Sequence, residues 1–312
     1  MNLINLSMKI NKLKHKYVFL GDTNSINIEL ICKSIKKLSP DIKYILIGNI
    51  RDLKNYLRKI RLKYKINEVL DPYNFNSFKY NFLNIFNIEN ISNKKYKNLL
   101  NQLNFCNFIS NETKNDLVTM PINKSIFKKN IKFIGVTEYL GKLNKKNTLM
   151  LMHGENFSVI PYTTHISPKL VHRNLKSDKL KIFFDLIVKY VEIKKYNLKY
   201  KWISVLCYNP HCGENKTIGF EDNHLAKVLM KYKKIIGPIP ADSAFKDIKK
   251  NSLFISIYHD QGLIPFKSLN NIGINLTLGL NYRRLSPAHG TAIDKKFKNI
   301  SDNSSYLACM RI

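Results

Sequence analysis

The stretch from Leu253 to Lys267, LFISIYHDQGLIPFK, constrains this chain more than any other. Its opening run is apolar and rich in β-branched and aromatic residues, the pattern of a buried strand, and it stops abruptly at His-Asp-Gln-Gly. Such a strand delivers polar side chains at its carboxyl end, which is where open α/β sheets bind ligands. There His259 can bind a metal or move a proton, and Asp260 can accept hydrogen bonds or orient a cation. Gly262 frees the backbone, and Lys267 offers a charge to an anionic substrate.

The same plan, an apolar strand followed at once by polar turn residues, recurs in Asn156 to Pro168, Trp202 to Glu214 and Ile235 to Phe245. Between the first two, Asp178 to Ile193 has the apolar spacing of a helix of about four turns. The opening half is also α/β in character. Tyr17 to Gly21 reads as a strand, Asn27 to Leu38 as a helix, Lys43 to Gly48 as a strand, and Asp52 to Lys59 opens the next helix. From Pro72 to Asn111 the chain is dense in Asn, Lys, Phe and Tyr, and the periodicity places only a helix near Lys97 to Leu103. Asp116 restarts the pattern with a short strand and a turn carrying Thr119, Pro121, Asn123 and Lys124, after which Thr137 and Glu138 stand ready to begin a helix. No G-x-G-x-x-G follows any strand, so a Rossmann fingerprint is absent.

At 312 residues the chain is long enough for two lobes. No run of about 18 apolar residues is present, and the N-terminal MNLINLSMKINKLKHKYVFL lacks a secretory pattern, so the cytoplasm is expected. Cys32, Cys106, Cys207, Cys212 and Cys309 are scattered, with no C-x-x-C pair to suggest a disulfide framework or a cysteine zinc site. Lys and Arg number 52 against 22 Asp and Glu, a net charge of +30. The lysines are diluted among Asn and Ile rather than gathered with aromatics on one stripe. They read as solvated faces rather than a nucleic-acid surface.

Three histidines occupy equivalent places: His165 after YTT, His211 after NP and His259 after IY. Any one alone reads as a hydrogen-bonded turn residue. Together, at the carboxyl ends of three strands of one sheet, they could converge on one ion and leave a coordination position open for substrate. Glu214, Asp242 and Asp260 could orient them. Thr137, Lys267, Asn275 and Arg284 are suited to phosphate and carboxylate. His15, His153, His172 and His224 read as surface or packing residues, while His289 in SPAHGTA could cap a helix beside Thr291 or touch a cofactor.

TTHISP, NPHCGE, GPIPADSAF, YHDQGLIPFK, GINLTLGLNYRR and AHGTA resemble, in order and spacing, the 4-hydroxythreonine-4-phosphate dehydrogenases of pyridoxal phosphate synthesis. The likeness runs from about Asp116 to Asp294. It implies an α/β fold of two α/β/α lobes, isocitrate/isopropylmalate dehydrogenase-like. One lobe would be residues 1–135 with 278–312, the other 136–277, with the active site in the cleft and shared across a homodimer. It also implies NAD or NADP as cofactor, a divalent metal such as zinc, magnesium or cobalt, and a small phosphorylated amino acid as substrate. Carried over by position, His165, His211 and His259 would ligate the metal. Thr137, Lys267, Asn275 and Arg284 would hold the substrate, and Lys267 and Asp242 would serve the catalytic step.

The chain departs from the family pattern at the loop GDTNSINIE, at Val136 before Thr137, at Asn215 to Thr217 and at Ala288, and its last helix reads as cut short after Ser304. Two other readings stay open: a dehydrogenase of a related phosphorylated hydroxy acid (a threonate or erythronate phosphate), and a non-catalytic polyanion-binding homologue.

Overall fold

The computed structural model describes residues 15–128 and 130–312. The N-terminal stretch read as lacking a secretory pattern therefore lies, up to Lys14, outside the described residues. The chain is a mixed α/β protein that divides into two compact units. Unit 1 comprises the described residues up to Leu140 together with Leu280–Ile312, and unit 2 is Gly141–Gly279.

Unit 1 carries a parallel sheet of β1 (Lys16–Phe19), β2 (Tyr44–Gly48), β3 (Ile66–Glu68), β4 (Leu83–Asn87), β5 (Asp116–Thr119) and β12 (Arg284–Pro287), in the order β3-β4-β2-β1-β5-β12. β1 and β2 are buried along their whole length, which is why they read as unbroken apolar runs. Its helices are α1 (Asn27–Ile35), α2 (Ile50–Lys59), α3 (Lys95–Thr113), the first turns of α4 (Val136–Leu143) and α8 (Ser304–Arg311). Ser304 thus opens the last helix rather than ending it. Asn49 caps α2 by accepting from the backbone N–H of Arg51 and Asp52. The core gathers Tyr17, Phe19, Ile45, Ile47, Leu103, Cys106, Leu117 and Tyr282 around the strands and α3.

Unit 2 is a mixed sheet of β6 (Leu149–Gly154), β7 (Phe157–Pro161), β8 (Trp202–Leu206), β9 (Ile235–Ile239), β10 (Ser252–Ser256) and β11 (Gly273–Leu278), in the order β11-β6-β7-β10-β8-β9. β6 runs antiparallel to both its neighbours, and the remaining pairs are parallel. β7, β10 and β8 therefore present their carboxyl ends side by side, which is what the repeated strand-then-polar plan requires. The helices of this unit are α5 (Ser177–Val191), α6 (Glu221–Leu229) and α7 (His259–Leu269). No described helix is long and apolar enough to cross a membrane.

Candidate active site

In unit 1 the tandem arginines of NYRRL point to different tasks, because adjacent residues of an extended chain face opposite sides. Arg283 turns to the buried carboxylate of Asp116, donating from Nε at 2.9 Å. Arg284 opens β12 and is only 4% exposed. Its Nε donates to Thr119 Oγ1 at 2.8 Å and its Nη1 to Thr137 Oγ1 at 3.2 Å. Burial draws the guanidinium down to about 10, which leaves it a cation at neutral pH. A buried cation oriented by two hydroxyls is suited to an anionic group of a ligand. Thr119 lay in a turn noted from the sequence but had no role there; Leu117 stands opposite Arg284 in the β5–β12 pairing, and Thr119, two residues further along β5, comes within reach of the guanidinium.

In unit 2 the carboxyl ends of β7, β10 and β8 are laced together. Tyr162 and Thr163 donate backbone N–H to Ser256 and Ile257 carbonyls at 2.7 and 3.1 Å, and Thr163 Oγ1 adds a 2.8 Å bond to Ile257. Gln261 of the HDQG motif accepts from the Ile257 N–H at 2.7 Å and donates to the Cys207 carbonyl at 2.7 Å, tying the end of β10 to the end of β8. Asp222 accepts from the backbone N–H of Tyr208 and Asn209, which fixes the NPH turn. Gln261, Asp222 and Thr163 were not singled out from sequence, since each acts on backbone groups of a segment remote in the chain.

His259 is the first residue of α7, three residues beyond the end of β10. Its ring centroid lies 5.7 Å from that of His165. Its Nδ1 is 2.6 Å from Asp260 Oδ1, so the neighbouring carboxylate orients the ring as expected. His211 sits in the 3-10 segment Pro210–Lys216, in the left-handed region at φ 48°. Among the described residues no group of three or more His, Cys, Asp or Glu side chains gathers to hold an ion. His165 and His259 stand near one another in one chain. Asp242 lies exposed in the turn after β9. The thiol of Cys212 is pushed up to about 12, first by burial and then by Cys207.

Lys267 is exposed on α7, eight residues past His259, which at 1.5 Å per residue is about 12 Å further along the axis. Asn275 lies on β11, and its Oδ1 is buried with no hydrogen-bond partner among the described residues. An orphaned acceptor of this kind costs stability unless a ligand meets it. His289 Nε2 is similarly orphaned, and burial lowers the imidazole's affinity for a proton. Thr291 caps no helix with its side chain; Ala292 stands at the head of the next 3-10 turn. Of the other histidines, His15 stacks on Phe75, His172 lies 3.1 Å from Glu221 and His224 lies 3.0 Å from Ser177. All three fit the packing and surface roles expected for them.

Comparison with known proteins places this geometry. The family model described as pyridoxal phosphate biosynthetic protein PdxA matches residues 41–312. The chain is 34% identical over 297 residues to a 4-hydroxythreonine-4-phosphate dehydrogenase of Hydrogenobaculum sp., covering 93% of this chain and 95% of that one. It is 32% identical over 313 residues to the protein of the same name from Aquifex aeolicus, covering 95% and 96%. The crystal structure of 4-hydroxythreonine-4-phosphate dehydrogenase from Klebsiella pneumoniae superposes with a TM-score of 0.78 at 23% identity, covering 96% of this chain and 98% of that chain. With a family model spanning most of the chain and relatives above 30% identity along nearly its full length, this chain belongs to the PdxA family of pyridoxal phosphate biosynthetic proteins.

Proposed function

We propose that this chain oxidises 4-hydroxythreonine 4-phosphate with NAD or NADP. The C3 hydroxyl becomes a ketone as the hydrogen on C3 leaves as hydride and the hydroxyl oxygen gives up its proton. The product, 2-amino-3-oxo-4-(phosphooxy)butanoate, is a β-keto acid and loses carbon dioxide to give 3-amino-2-oxopropyl phosphate. The supporting observations are the family membership and the Arg284–Thr137 pair, a buried cation and hydroxyl at 3.2 Å suited to an anionic substrate group.

In this reading Arg284 and Thr137 join Lys267 and Asn275 in holding phosphate and carboxylate, the buried Oδ1 of Asn275 accepting from a substrate donor. Asp242 accepts the hydroxyl proton, and the Lys267 ammonium offsets charge that develops at the reacting carbons. The nicotinamide cofactor, when bound, supplies the hydride acceptor. A divalent cation (zinc, magnesium or cobalt) would be held by His165, His211 and His259 and would polarise the substrate oxygen. The His165–His259 pair at 5.7 Å supports two of these ligands. We place the complete site in a homodimer, shared across its interface. The two units are read as the lobes of an isocitrate/isopropylmalate dehydrogenase-like protein working in the cytoplasm.

The test is the appearance of reduced cofactor when purified protein meets 4-hydroxythreonine 4-phosphate, before and after treatment with a chelator. Turnover that a chelator abolishes and a divalent ion restores is the expected result. Well-folded protein that shows no turnover with any of the three ions would overturn the reading. Parallel assays with threonate and erythronate phosphates, and sedimentation of the intact protein, test the substrate and the dimer.

A further inference from the structure

Cys207 and Cys212 bracket the turn that carries His211, just past the carboxyl end of β8. The first half of that turn is fastened. Cys207 donates its N–H to the Ile239 carbonyl at 2.8 Å, and its own carbonyl accepts from Gln261 Nε2 at 2.7 Å. Asp222 takes the N–H groups of Tyr208 and Asn209 at 2.6 and 2.9 Å. The second half is wound through the left-handed region, with φ 48° at His211 and 56° at Cys212, a conformation that costs L side chains energy.

This winding folds the chain back on itself. Cys212 Sγ lies 3.6 Å from the carbonyl oxygen of Pro238, the residue before Ile239 on β9, and Cys207 Sγ lies 2.9 Å from the Asn209 carbonyl oxygen. Both cysteines are seated on the end of one strand, and their side chains hydrogen-bond to each other. The two thiols differ in access. Cys207 is 2% exposed and Cys212 is half-buried, while Cys32, Cys106 and Cys309 lie buried in unit 1. A partly accessible thiol beside a sheltered one is an arrangement in which the first meets an oxidant and the second resolves the product.

We propose that Cys207 and Cys212 are an oxidation site, closed by a peroxide to a disulfide that pins the His211 turn. Cys212 Sγ attacks one peroxide oxygen, the O–O bond breaks, and one water departs to leave a sulfenic acid on Cys212. Cys207 Sγ then displaces the sulfenic oxygen, which leaves as a second water with the thiol proton. The two thiols have given up two hydrogens with their electrons, and hydrogen peroxide has become two molecules of water. The closed loop is short, so it costs little chain entropy, and a thiol reductant reopens it by exchange. Because the first half of the turn is fastened, the adjustment falls on His211 and Cys212. The consequence for turnover rests on the dehydrogenase reading, in which His211 is a metal ligand; the bond itself does not.

The full-length protein is treated with hydrogen peroxide and unfolded in an alkylating agent, and its peptides are weighed. The expected result is Cys207 joined to Cys212, lighter by two hydrogens, with the other three of the five cysteines alkylated. All five are alkylated when dithiothreitol comes first. Cys207→Ser is expected to stop at the sulfenic acid on Cys212, which dimedone captures. Turnover of the oxidised wild type is expected to fall about tenfold and to recover with dithiothreitol, whereas Cys212→Ala is insensitive to the same treatment. Five alkylated cysteines in peroxide-treated, folded wild type overturn the proposal, as does a bond between any other pair. A Cys207–Cys212 bond with turnover unchanged overturns the pinning of His211 and leaves the dehydrogenase reading standing. The same bond in protein without turnover in either state supports the oxidation site and removes the dehydrogenase reading.

Discussion

Arg284 is useful as an anion receptor only if its guanidinium is aimed, and the group that aims it is Thr119. The Oγ1 of this fully buried threonine takes the Nε–H at 2.8 Å, and Thr137 Oγ1 takes an Nη1–H at 3.2 Å, so the guanidinium is fixed from two sides. Thr119→Val keeps the shape and removes the acceptor. It is expected to lower kcat/KM roughly tenfold to a hundredfold, mainly through KM for the phosphorylated substrate, about 1.4–2.8 kcal/mol, and Thr119→Ser is expected to restore it. Steady-state kinetics of the two variants check this. His153 carries a different residue-scale consequence. Its Nδ1 lies 2.8 Å from Ser158 Oγ and 3.3 Å from Tyr200 Oη, and burial lowers the imidazole from 6.5 to about 4. The unfolded chain takes up this proton near 6.5 and the folded one does not until about 4. Stability is therefore complete above the first value and drains away as pH falls toward the second. Between pH 7 and 5 the loss from this group is about 2 kcal/mol, and urea titrations should show it in the wild type and not in His153→Gln. The sequence allowed a packing role for His153. That the role is a buried neutral ring was not legible, because Tyr200 and Ser158 meet it only through the fold.

At the scale of elements, the turn carrying His211 runs through six successive residues with positive φ, His211 to Lys216, of which only Gly213 is a glycine. Side chains in this region cost roughly 1–2 kcal/mol each. The sequence did show that the glycine-rich continuation expected here is replaced by Asn215 to Thr217, and the structure shows what the replacement does: it strains the turn that presents a proposed ligand. Lys216→Gly, at φ 78°, is expected to stabilise the protein by about 1 kcal/mol in chemical denaturation. The opposite sign is expected on α7. A Cβ at Gly262 would stand 2.5 Å from both Ser256 Oγ and Val159 Cγ1, so the glycine lets the helix close onto its two strands. Gly262→Ala should cost about 1–3 kcal/mol despite alanine's better helix propensity, read as a lowered midpoint of thermal or denaturant unfolding. Sequence periodicity found part of α3 but not its length. Gln102, Asn107 and Ser110 are buried on the same face as Leu99, Leu103 and Cys106, and polar residues on the inner face break the apolar pattern on which such readings depend.

Across the whole molecule, unit 1 joins the two ends of the chain, and the link is a buried charge network. Lys16 on β1 donates to Asp116 on β5 at 3.0 Å, and Arg283, just before β12, reaches the same carboxylate and also donates to the Ile312 carbonyl at 3.1 Å. Burial alone would raise the Asp116 carboxyl, but Lys16 and Arg283 hold it below its ordinary value. Removing the acid would leave two cations buried without it, so Asp116→Ala should destabilise unit 1 by roughly 3–5 kcal/mol, seen as an earlier calorimetric transition. The chain by itself determined the α/β class and the strand ends that carry His165 and His259, because these are written locally as apolar runs broken by polar turns. Only the tertiary structure decided that Arg283 and Arg284 serve different partners, that Gln261 ties β10 to β8, and that Gln102 faces a cavity. Each of those depends on residues far apart in the chain, brought together by strand pairing and burial, and no local pattern of residue types encodes such a meeting.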